Sequence, residues 1–181
     1  MKLLGAILAG GRSRRFGSDK AEAMLDGRTL LAHVADALRP QCDALVLCGR
    51  THREMASLED RPRAGLGPLG GLCAALAYGQ RAGFAAVLSA PCDSPDLPRN
   101  LHDRLSGVSG PAYVADLPVV GLWPCALAEA LHSWLQANND RSLNAWARAV
   151  SATPVEIAHQ LGNINTRDDL MAFERRDIFL H

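Results

Sequence analysis

Positions 8–20 read LAGGRSRRFGSDK, which places three glycines and four basic residues directly after the apolar run LLGAI. Gly10 and Gly11 let the backbone turn sharply and bring its N–H groups close to a ligand. Arg12, Arg14, Arg15 and Lys20 surround that turn with positive charge. A polyphosphate suits such a site, because it needs many donors and several countercharges. The competing reading is a solvated surface loop with scattered arginines. The segment is not a Walker loop, because Gly17 is followed by Ser18 and Asp19 where Lys and Ser/Thr are required.

Further along, the segment SAPCDSP sets Asp93 in a proline-fixed turn after an apolar run. Mg²⁺ usually takes one or two protein carboxylates and completes its octahedron with water and substrate phosphates, so one Asp suffices. The plainer reading is a turn residue. Asp60, in SLED, is either a solvated charge or an acceptor for a base with adjacent N–H donors, such as the Watson–Crick edge of guanine. Asn163 and Asn165, in GNINT, either shape a turn or orient a second substrate or the waters of a metal. Residues 65–70, GLGPLG, match the glycine spacing of dinucleotide-binding turns, but no strand pattern directly precedes them and Pro68 sits inside the match.

Composition narrows the field. The chain has 181 residues, 48% hydrophobic, with 19 basic and 19 acidic side chains and a formal net charge of zero. That length suits one domain over 1–181 with a full core. Zero net charge argues against duplex nucleic acid or an anionic membrane as a general partner. An aromatic content of 5% gives no stacking platform for single strands. The 5 cysteines form no C-x-x-C pair and the 6 histidines no zinc spacing, so reduced buried thiols are expected. No leader-like segment or spanning apolar run is visible, which makes the expected location cytoplasmic.

The elements that must carry these residues follow from periodicity. Apolar runs at 3–8, 44–48 and 85–90 read as buried strands. Residues 29–38 and 70–79 read as helices between them, and 97–107 as a helix with Pro98 in its first turn. The runs AYVA and PVVGLW, joined by a two-residue gap, read as a hairpin. Residues 125–136 and 141–150 read as helices, 155–158 as a late strand, and 166–176 as a helix capped by Thr166. The stretch 59–71 reads as a flexible segment. Alternation of strand and helix implies parallel strands with right-handed crossovers, and ligands then bind at the strands' carboxyl ends. The loops after the strands at 3–8, 44–48, 85–90 and 155–158 therefore belong on one rim.

Taken together, LAGGRSRRFGSDK, DGRTLL, GPLGGL, PCDSPDLP and NINTRDDL occur in an order that resembles the molybdenum cofactor guanylyltransferases, over about residues 3–170. The first motif is shared by many sugar-nucleotide and cytidylyl transferases; its combination with P-C-D-x-P and N-x-N-T is more specific. The resemblance implies an α/β, three-layer Rossmann-like nucleotidyltransferase fold with a mostly parallel central sheet. It implies transfer of GMP from GTP to molybdopterin (Mo-molybdopterin), with Mg²⁺ as cofactor and pyrophosphate released. A molybdoenzyme, or the chaperone of one, would receive the product. Leu8, Ala9, Gly10 and Gly11 would line the nucleotide and Asp60 would contact it. Lys20 would meet the triphosphate and Arg15 would share its charge, while Asp93 would hold the metal. Asn163 and Asn165 would face the second substrate. Gly10 matches the guanylyl branch, since the cytidylyl branch usually carries Ala there. Cys48 departs from members that place a nucleotide-contacting Asn at that point, and ADLPVVGLW shortens a stretch that is more polar in the family. Other readings stay open: cytidylyl transfer to molybdopterin, nucleotidyl transfer to a sugar phosphate, a non-catalytic nucleotide sensor, or a dinucleotide-dependent oxidoreductase.

Overall fold

The computed structural model describes residues 1–10, 23–157, 161, 162, 164, 168–171 and 173. Its spine is strand β1 (Leu3–Leu8), apolar throughout and fully buried, as a central parallel strand requires. A short hairpin follows, β2 (Met24–Leu25) and β3 (Arg28–Thr29), turned by Asp26 and Gly27 at positive φ. Helix α1 (Leu30–Leu38) starts at Thr29, whose hydroxyl accepts from the Ala32 N–H, and gives way to a 3₁₀ turn containing Pro40. Strands β4 (Ala44–Cys48) and β5 (Ala56–Leu58) come next, then α2 (Pro68–Arg81) and β6 (Ala86–Pro91). The remaining elements are α3 (Leu101–Ser106), β7 (Ala112–Val114), β8 (Leu117–Pro124), α4 (Ala128–Ala137), α5 (Leu143–Ala149) and β9 (Thr153–Val155).

Seven of the strands form one sheet in the order β5-β4-β1-β6-β8-β7-β9. The strands β5, β4, β1 and β6 are mutually parallel; β8 alone runs against its neighbours. Leu3 and Ile7 of β1 face a core with α1 and α3, whereas Leu4, Ala6 and Leu8 face one with α2, α4 and α5. Alternation along one strand thus fills both cores, and the three-layer α/β expectation holds. The β6–β8 pairing is pinned by a buried polar chain. Trp123 Nε1–H donates to Ser89 Oγ at 3.1 Å, and the Ser89 hydroxyl donates to the Val119 carbonyl at 2.8 Å. No helix among the described residues is long and apolar enough to cross a membrane.

Three expectations need correction, and one strand had no counterpart in them. The helix expected over 97–107 spans only Leu101–Ser106. Gln41 replaces a local cap: its amide donates to the Pro98 carbonyl at 3.0 Å, and its carbonyl accepts from the His102 N–H at 2.9 Å. The late strand is Thr153–Val155 rather than 155–158, because it is defined by pairing with Ala112–Val114. The segment 59–71 is not all loop, since α2 begins at Pro68 behind Gly67. Strand β5 was not expected at all; it is three residues long, mostly exposed, and made by its pairing with β4.

Candidate active site

Sheet register builds the site. Leu58, Cys48, Leu8 and Pro91 stand side by side at the carboxyl ends of β5, β4, β1 and β6. Asp60, Arg50, Gly10 and Asp93 each follow two residues later. The rim is extended by Ala9, whose N–H donates to the Cys48 carbonyl at 2.9 Å, and by Cys92, whose N–H donates to the Leu8 carbonyl at 3.3 Å. The chain visits β4 and β5 on one side of β1 before crossing to β6, so this rim is also the point where strand order reverses. Strand β9 runs parallel to β7, which is aligned with β6, so the loop after it returns to the same edge.

A cleft of about 950 Å³ opens at the β5 end, lined by Gly10, Gly49, Arg50, Leu58, Asp60, Gly65 and Gly67 among others. Its floor is mostly backbone. Gly49 has φ +85°, and a Cβ there would lie 2.5 Å from the Gly10 Cα, so only glycine fits that crossing. A Cβ on Gly10 would lie 3.6 Å from Asp60 Oδ1, ordinary contact but inside the cleft.

Asp60 is half-buried, and its Oδ1 is buried with no hydrogen-bond partner among the described residues. Burial raises its carboxyl above the usual range; the backbone N–H groups of Gly65 and Leu66 pull the other way. A buried carboxylate oxygen left unpaired is costly, which makes it a ready acceptor for a donor brought by a ligand. The glycine-spaced segment 65–70 therefore wraps Asp60 with its backbone and leads into α2. Gly70 and Gly71 keep α2 close: a Cβ on Gly70 would lie 3.0 Å from the Asp60 Cβ.

Leu8 contributes backbone only, since its side chain is 6% exposed and packs in the core with α2. Cys48 is likewise fully buried, against Gly71 of α2, and its thiol is pushed up to about 12 by burial and then by Asp60. It fills the core behind the cleft. At the other end of the rim Asp93 is half-buried, and its carbonyl accepts from the Ile164 N–H at 3.0 Å. By strand spacing, Asp60 and Asp93 stand on the order of 14 Å apart along the rim.

The expected residues Gly11, Arg15, Lys20, Asn163 and Asn165 lie outside the described residues. Those described, Leu8, Ala9, Gly10, Asp60 and Asp93, share the rim. Gly49 and the backbone N–H groups of Gly65 and Leu66 at Asp60 were missed; a glycine directly after an apolar strand was the available signal for Gly49. A second depression, about 490 Å³, lies at the amino ends of β4 and β5, away from this rim. Asp36 in it is already paired with Arg28 at 2.6 Å and Arg39 at 3.3 Å.

Residues 5–153 match the MobA-like NTP transferase domain. The chain is 37% identical to a molybdenum cofactor guanylyltransferase of Cereibacter sphaeroides, covering 96% of each chain. It is 34% identical to one from Rhizobium leguminosarum bv. trifolii, over 96% of this chain and 92% of that one. The fold aligns with the crystal structure of molybdopterin-guanine dinucleotide biosynthesis protein A from Archaeoglobus fulgidus. The TM-score is 0.74 at 21% identity, over 98% of each chain.

Proposed function

The chain belongs to the MobA-like NTP transferase family, among the molybdenum cofactor guanylyltransferases, and is a nucleotidyltransferase; from this we propose that it transfers GMP from GTP to molybdopterin and releases pyrophosphate. The observation that carries the reading is the unpaired, buried Oδ1 of Asp60 in a glycine-floored cleft, in register with Asp93 across four strand ends. The separation of the two carboxylates matches a nucleoside triphosphate laid along the rim, base at Asp60 and phosphates toward Asp93. Guanine presents adjacent N1–H and N2–H donors, and Asp60 is the acceptor for them. Gly10 and Gly49 keep side chains out of the plane the base must occupy.

Asp93 suits Mg²⁺ by its chemistry. Its carboxylate is a hard oxygen donor at the rim, and the described residues hold no cluster of three or more His, Cys, Asp or Glu. Magnesium needs only one or two protein carboxylates when phosphates supply the rest. Bound there, it would neutralise phosphate charge and orient the triphosphate.

The acceptor's terminal phosphate is already an anion, so no protein base has to create the nucleophile. A bond forms from its oxygen to the α-phosphorus of GTP, the bridging bond to the β-phosphate breaks, and pyrophosphate leaves with the electron pair. The protein's part is to align the two polyanions and to offset their charge. Lys20 and Arg15 supply that charge in this reading, and Asn163 and Asn165 face the acceptor. The test is incubation with Mg²⁺, molybdopterin and each nucleoside triphosphate in turn. GTP should give pyrophosphate and the guanine dinucleotide; turnover with CTP alone would replace the reading with cytidylyl transfer.

A further inference from the structure

Two backbone N–H groups tie the loop after β9 to the turn that carries Asp93. The Gly162 N–H donates to both carboxylate oxygens of Asp96, at 2.9 and 3.1 Å, and the Ile164 N–H donates to the Asp93 carbonyl at 3.0 Å. Gly162 and Asp96 are 66 residues apart in sequence, so these contacts join two separate excursions of the chain. Side chains fasten the same loop. Leu161 packs against the core shared with α1 and α3, while Ile164 is 1% exposed in a small cluster with Leu25, Leu30 and Phe173. Gly162 itself is hemmed in: a Cβ there would lie 2.9 Å from the Phe173 ring and 3.2 Å from Asp96 Oδ2. Only a glycine lets its amide sit down on the carboxylate with the ring behind it.

We propose that Asp96 is a positioning residue for the acceptor substrate: its carboxylate holds the backbone at Gly162, and with it Ile164, against the Asp93 turn, on the side of the rim away from the Asp60 cleft. The inference rests on the nucleotide lying between Asp60 and Asp93. The acceptor must then approach from beyond Asp93, where this loop is the adjoining surface. A charge-assisted clamp resists displacement better than a neutral one, and here the Gly162 N–H is shared between both carboxylate oxygens of Asp96. Asp96 touches neither reacting atom in this account; it acts through the loop it holds.

The test compares Asp96→Ala, Asp96→Asn and Gly162→Ala with the wild-type chain. Asp96→Ala should raise the KM for molybdopterin by about tenfold and leave the KM for GTP within about twofold. Asp96→Asn keeps one acceptor oxygen and should recover most of that loss, while Gly162→Ala should reproduce the alanine phenotype from the other partner. Hydrogen exchange at the Gly162 and Ile164 amides should quicken in Asp96→Ala and not in Asp96→Asn. Equal rises in both KM values, no rescue by Asn, or unchanged amide exchange would each overturn the proposal. A wild-type chain that turns over no GTP with molybdopterin would instead remove the function proposed above, and the exchange measurement would still judge the clamp.

Discussion

The two ends of the rim use a carboxylate in opposite ways. At the β5 end, Asp60 is wrapped by the backbone of 65–66, faces Gly10 and Gly49, and keeps one buried oxygen unpaired. At the β6 end, Asp93 is half-buried in a turn whose carbonyl already braces a neighbouring loop. Asp60 sits in a cleft floored by glycines, which suits recognition of neutral N–H donors. Asp93 sits on a braced turn, which suits holding charge at a fixed place. In the proposed reading, that difference divides recognition from charge placement along one sheet edge, the first nearest β5 and the second nearest β6.

If that division is right, damage at the two ends should look different. The largest effect belongs to Asp93→Asn, which should lower kcat/KM for every nucleotide by about 100-fold or more, with thermal stability retained. Near-normal pyrophosphate release at saturating Mg²⁺ would remove Asp93 from the charge-bearing end. Next comes Gly49→Ala, which forces a methyl onto the Gly10 backbone at positive φ. It should cost about 2 kcal/mol of stability in thermal unfolding and weaken GTP binding with it. An unchanged melting temperature would show that the crossing is looser than the structure has it. Gly10→Ala is milder, because a Cβ there makes only ordinary contact with Asp60. It should shift preference from GTP toward CTP by about 1–2 kcal/mol, read as a ratio of kcat/KM values.

The smallest effect is in pH. Burial raises the Asp60 carboxyl, so its charged form is costlier in the folded chain than in the unfolded one. The protonated form's contribution is complete below the unfolded value near about 4 and is lost as pH rises through the raised folded value. Asp60→Asn should therefore raise the melting temperature of the ligand-free chain at neutral pH. Acidification should raise the KM for GTP in the wild-type chain and leave it flat in Asp60→Asn. Stabilisation absent from the variant would mean that the carboxylate finds a partner in solution.

Legibility differed between the same two regions. The parallel half was readable because its strands are continuous apolar runs: 3–8 and 44–48 match β1 and β4 as expected. Asp93 was readable for a local reason, a carboxylate in a proline-fixed turn just past an apolar run. The environment of Asp60 was not, because β5 exists only through its pairing with β4, and the wrapping by 65–66 depends on a turn before α2. The glycine spacing there was visible, but its role as a carboxylate's backbone shell requires the fold. Gln41, which caps α3 from 61 residues away, was invisible for the same reason. Gly49 and the DG turn at 26–27 were visible signals that went unread; both are glycines at positive φ.

The most direct measurement is kcat/KM for GTP, CTP and ATP in the wild-type chain and in Asp60→Ala, with molybdopterin and Mg²⁺ held constant. The account predicts that the wild type prefers GTP by about 100-fold and that the variant loses most of that preference, because the N1 and N2 donors are left unpaired. Identical nucleotide ratios in the two chains would contradict it, since the buried oxygen of Asp60 would then read nothing.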